Sequence, residues 1–136
     1  MFSKAVICLV TFLSFGTMAI AQSFSQDRLS DWEFRFYACK SVLTSAVLVI
    51  DIMEEQQITD QSGIDAVQAA LGRRIANAVV ENEKNFQFVE GESVFLSDLT
   101  FAVVSSMVYA GFELSATQLF QSGNDICIHT IETMAK

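Results

Sequence analysis

The chain has no proline, 6 glycines in 136 residues and a single histidine, and its 8 basic residues are outnumbered by 16 acidic ones. Each shortage excludes something. Without proline or a glycine-rich stretch there is no linker signal, and long helices with short connections are the favoured arrangement. Neither a Gly-x-Ser-x-Gly elbow nor a phosphate-cradling glycine loop is present. One histidine, His129, cannot furnish a multi-histidine zinc site; no Glu-x-x-His pair marks a di-iron bundle, and no Cys-x-x-Cys-His run attaches haem. A net charge of −8 makes nucleic acid and anionic lipid poor partners. No metal and no cofactor is expected.

What is present begins with an apolar leader. MFSK carries one positive charge, AVICLVTFLSFGTM is uninterrupted and apolar, and Ala19-Ile20-Ala21 supplies the small-x-small pattern of a signal-peptidase site. The run is shorter than the ~20 residues of a spanning helix. Residues 1–21 are therefore expected to be a cleaved signal peptide and residues 22–136 a single helical domain, exported to a periplasm or secreted. Cleavage removes Cys8, so that Cys39 and Cys127 remain as the natural pair for one disulfide in an oxidising compartment.

Hydrophobic period predicts four helices. The first starts after a capping pattern at Ser23 to Gln26 and runs along a seam of Leu29, Trp32, Phe36, Cys39, Leu43, Ala46, Ile50 and Met53. The second covers about 63–84, capped by Ser62 or Thr59, with Ile64, Val67, Leu71 and Ile75 on one face. NFQFVEGES, residues 85–93, interrupts the period and reads as a loop whose Phe86 and Phe88 cover the core. A third helix from about 94 to 112 ends at a Gly111 break, and a fourth, capped by Ser115, presents Ala116, Phe120, Gly123, Cys127, Ile131 and Met134 along one side. The expected fold is all-α, a small four-helix bundle of up-down type in which the first and last helices lie side by side, so that Cys39 reaches Cys127.

His129 stands two positions after Cys127. Residues two apart on a helix point roughly 200° away from each other, so Cys127 faces inward, His129 faces out, and the two cannot share a metal. The carboxylates Asp51 and Glu55 are one turn apart near a helix end, where such groups are ordinarily solvated. No catalytic constellation emerges, and the chain is not expected to be an enzyme.

Two stretches carry more apolar surface than a small bundle ordinarily hides. SVLTSAVLVI (41–50) and LTFAVVSSMVYAGF (99–112) are uncharged. Several explanations compete. The third helix spans a membrane, against which Asp98, Ser105 and Ser106 argue; a second chain, identical or foreign, covers the surplus; the bundle encloses an apolar ligand; or the loop phenylalanines absorb it. The candidate apolar binding surface is Leu48 and Ile52 on the first helix with Phe101 and Val104 on the third. A layout of signal, small helical domain and one disulfide is similar to that of periplasmic acid-stress chaperones and of helical immunity proteins. The likeness is one of architecture and carries no site residues across. The expected function is a non-enzymatic protein-binding module, of inhibitor, immunity or chaperone-like type, whose partner is another protein or a second copy of itself. The alternative is a carrier of a small apolar ligand held between Leu48, Phe101 and Val104. No stable membrane span is expected in the mature chain.

Overall fold

The computed structural model describes residues 26–136, and among them every regular element is helical. The expected signal segment 1–21 and the cleavage point before Gln22 lie outside the described residues. In chain order the elements are α1 (Gln26–Ser30), α2 (Trp32–Glu55), α3 (Gln61–Asn82), α4 (Glu92–Tyr109), α5 (Ala116–Gln118), a π turn (Leu119–Gly123) and α6 (Asn124–Met134).

The helix ends follow from short-range chemistry. The expected continuous first helix is broken at Asp31, whose extended backbone starts α2 afresh and whose carboxylate accepts the Glu33 N–H at 3.1 Å. Asp60, rather than Thr59 or Ser62, caps α3 by accepting from the Gly63 N–H at 2.8 Å. Ser115 caps α5 as its spacing predicts, accepting from Gln118 N–H at 3.2 Å. Two helices close with the same left-handed motif. At the end of α4, Gly111 (φ 73°) donates to Val108 O at 3.1 Å and Phe112 to Met107 O at 3.0 Å. At the end of α2, Gln57 (φ 55°) donates to Glu54 O at 3.2 Å and Ile58 to Met53 O at 2.8 Å, which turns Ile58 back onto the core.

The two apolar helices are the inner pair. α2 and α4 pack on each other, α3 lies against both, and α6 with its π turn also lies against both. Being covered from several sides, α2 buries Phe34, Ala38, Val42, Ala46, Val49 and Met53 together with Cys39, Leu43 and Ile50, and α4 buries Phe95, Leu96, Leu99, Phe101, Val103, Val104 and Met107. Most of the surplus noted in the sequence is thus used inside the chain. α2, not the third helix of the sequence reading, is the described helix long and apolar enough to cross a membrane, and more than half of its apolar window is packed within the protein.

The predicted seam holds at Leu29 and from Cys39 onward and fails between them. Trp32 is 74% exposed and Phe36 58% exposed. At this end the cover on α2 comes from the 83–91 segment, whose Phe86 and Phe88 meet Phe34 at ring-centroid distances of 6.3 and 6.2 Å. The core therefore shifts to the Phe34 side and leaves Trp32 and Phe36 outside.

The last helix keeps Gly123, Cys127 and Ile131 of its predicted face and departs from it at Ala116, Phe120 and Met134. Phe120 and Met134 are exposed, and Leu119, Gly123, Cys127 and Ile131 are buried. These four are spaced by four, and in a pure α-helix each step of four overshoots a full turn by about 40°. The wider π turn over 119–123 takes up part of that drift. Gly123 lets this segment approach the inner pair: a β carbon there would lie 3.1 Å from Leu43 Cδ2 and 3.5 Å from Val103 Cγ1. Cys39 and Cys127 are joined in a disulfide with Cα atoms 5.8 Å apart, which fastens α2 to α6.

Candidate protein-interaction face

Phe34 forms the floor of an aromatic cluster at the N-terminal end of α2. It is fully buried, with Phe86 and Phe88 from the loop and Phe95 from α4 around it. Phe86 stacks on Tyr37 at 5.1 Å, and Tyr37 meets the edge of Phe36 at 5.1 Å. A continuous aromatic path therefore runs from the core out to the exposed Phe36, with Trp32 one turn before it on the same helix.

Arg28 from α1 enters this cluster from the side. Its guanidinium carbon lies 4.9 Å from the Phe34 ring centre and 4.8 Å from that of Phe86. Its Nε donates to Glu92 Oε1 at 2.8 Å and its Nη2 to Glu92 Oε2 at 3.2 Å, while Nη2 also donates to Gln87 O at 3.0 Å. Glu92 is 0% exposed and accepts a further bond from the Val89 N–H at 2.8 Å. The hydrogen bond to Glu92, with the charges of Glu92, Asp31 and Glu33, holds the Arg28 guanidinium above its ordinary pKa. Burying a carboxylate is costly unless it is paired and hydrogen-bonded, and here both oxygens are engaged.

Beside the aromatic path, α2 and α3 diverge around an open groove of about 480 Å³ lined by Lys40, Ser41, Thr44 and Leu48 on one side and Val79 and Asn82 on the other. Lys40 closes its end. Its ammonium lies 5.6 Å over Tyr37 and donates to Glu83 Oε2 at 3.1 Å. The Glu83 carboxyl is held below the usual carboxylate range, first by the Asn85 backbone N–H donating at 3.0 Å and further by Lys40.

The residues singled out in the sequence are distributed unevenly over this landscape. Cys39 and Cys127 are bonded. Leu48 is 43% exposed and borders the groove, and Ile52 is partly buried against the core. Phe101, 3% exposed, and Val104 are inside. The four do not form one exposed face, because the α4 side on which Phe101 and Val104 lie is covered by neighbouring helices; a β carbon at Gly72 of α3 would sit 3.1 Å from the Phe101 ring. Asp51, Glu55 and His129 are exposed, while Cys127 is buried. Among the described residues no group of three or more His, Cys, Asp or Glu side chains could hold a metal ion.

Trp32, Phe36, Arg28 and Glu92 are the residues that the sequence reading did not find in these roles. Arg28 and Glu92 are 64 positions apart, so no local pattern links them. Trp32 and Phe36 had a visible alternative, the phase of Phe34 and Ala38, which a count of apolar positions does not separate from the seam. No family, curated protein or solved structure matches the chain.

Proposed function

We propose that the protein is an exported, non-enzymatic protein-binding module that uses the N-terminal end of α2 as its docking face, of inhibitor, immunity or chaperone-like type. The observation that carries this reading is the exposure of Trp32 and Phe36 one turn apart on the central helix. Large aromatic side chains are enriched at binding hot spots. The helix that presents them is clamped to α6 by the Cys39–Cys127 disulfide, and a rigid anchor loses little entropy on docking. The disulfide also suits an oxidising compartment, which agrees with the apolar leader at the N-terminus. The clefts beside this face are open to solvent rather than enclosed, and they lend no support to a carrier that holds an apolar ligand inside the bundle.

The test is a photo-crosslinking residue placed at Phe36 in the chain expressed in its own cells. A discrete cross-linked species, whether a foreign polypeptide or a second copy, is the expected result. It should disappear on Trp32→Ala. Labelling no stronger than that of the same cross-linker at exposed Ala66 on α3 would refute the docking face.

A further inference from the structure

The guanidinium of Arg28 sits in a receptor that other segments build without it. α2 supplies Phe34, the 83–91 segment supplies the Phe86 ring and the Gln87 carbonyl, and α4 supplies the carboxylate of Glu92, already oriented by the Val89 N–H. Two ring faces at 4.9 and 4.8 Å and a carboxylate engaged through both oxygens suit a flat, forked cation. A compact ammonium could use the charge but neither the fork nor the stacking. Arg28 reaches this receptor from α1, a helix of 5 residues separated from α2 by the extended Asp31. So short a helix has no stability of its own. It is held by Arg28, by buried Leu29 and by Arg35, whose Nε donates to Leu29 O at 2.6 Å.

We propose that this receptor is an arginine-recognition site, filled in the free protein by Arg28 and taken over on binding by an arginine side chain of a basic partner segment that displaces α1. Three features support the exchange. Replacing one guanidinium by another keeps buried Glu92 paired, whereas simple departure of Arg28 would leave it uncompensated. The receptor adjoins the exposed face through the Phe86, Tyr37 and Phe36 contacts, so a partner lying over Trp32 and Phe36 is already beside it. A net charge of −8 draws a basic segment toward the chain. The inference rests on the protein-binding reading for its biological partner, while the chemistry of the receptor is tested separately.

The experiment titrates the disulfide-bonded protein with an oligo-arginine peptide and with an oligo-lysine peptide of equal length at matched salt. The fluorescence of Trp32, the single tryptophan at the α1–α2 junction, is the readout. The expected result is binding of the arginine peptide about tenfold tighter or more, the margin of a stacked bidentate contact over a point charge. Arg28→Ala should strengthen arginine binding by removing the internal competitor, and Glu92→Gln should abolish the preference. Equal affinities for the two peptides on the unmutated protein would overturn the proposal, and that comparison stands even where a variant folds poorly. An arginine preference with no cross-linking at position 36 would count against the docking face and leave the receptor standing; cross-linking with no preference would do the reverse.

Discussion

Arg28 and Glu92 form the contact on which the N-terminal end of the molecule depends most. Removing one partner of a buried pair leaves the other charge uncompensated, so Arg28→Ala should cost about 3 kcal/mol in a urea titration. The double change Arg28→Met with Glu92→Leu should recover much of that loss, since no isolated charge remains. Glu83 makes a second, pH-dependent contribution. Its carboxyl is held below the ordinary range by the Asn85 N–H and by Lys40, so its stabilisation is present above the unfolded-state pKa and is lost as pH falls through the folded value. Glu83→Gln should therefore be less stable than the parent near neutrality, and the gap should narrow below about pH 4. At this scale the sequence was legible where the argument was local: His129 lies outside and Cys127 inside, as two positions on one helix require. The 64-residue separation of Arg28 and Glu92 left their pairing out of reach.

Among the elements, helix ends show what short-range chemistry can and cannot decide. Gly111 and Ser115 were readable because a left-handed residue followed by a cap is a local pattern. Asp60 was missed because Thr59, Asp60 and Ser62 are comparable caps within four positions, and the choice among them depends on the angle at which α3 leaves α2. The matching left-handed position after α2 is filled by Gln57, with φ 55°, where a side chain is strained. Gln57→Gly should raise stability by up to about 1 kcal/mol, and Gly111→Ala should lower it by about 1 kcal/mol, both read from the urea midpoint. A β carbon at Gly111 would meet nothing within 4 Å, so the second effect isolates backbone strain. The π turn was written into the four-residue spacing of Leu119, Gly123, Cys127 and Ile131. Gly123, Cys127 and Ile131 were legible in that spacing, and Leu119 was passed over because Phe120 beside it offered an alternative position.

For the molecule as a whole, the uncharged run 41–50 correctly signalled burial around most of its helix, whereas 99–112 is buried on the side of Leu99, Phe101, Val103, Val104 and Met107 and leaves Tyr109 and Phe112 exposed. Neither run could say what would provide the burial. The answer is mutual packing of α2 and α4, flanked by α3 and α6, and the large apolar side chains left exposed include Trp32 and Phe36 on α2, Tyr109 and Phe112 at the end of α4, and Phe120 in the π turn. The all-α class and the Cys39–Cys127 bond were accessible because one depends on period and the other on counting. The Cys39–Cys127 link spans 88 positions, for which loop-closure entropy is worth about 4 to 5 kcal/mol as an upper figure. Cys39→Ser with Cys127→Ser should therefore lower the urea midpoint more than any single substitution named above, while the far-ultraviolet signal of the folded state remains helical.

The central claim is that the N-terminal end of α2 is a face for another polypeptide. Native mass spectrometry under non-reducing conditions tests it most directly, on protein purified gently from the cells that make it, beside the Trp32→Ala, Phe36→Ala double variant. The account predicts a complex carrying a second polypeptide for the parent, and a bare disulfide-bonded chain for the variant. A bare chain for both, or a complex that survives the double substitution unchanged, would contradict it.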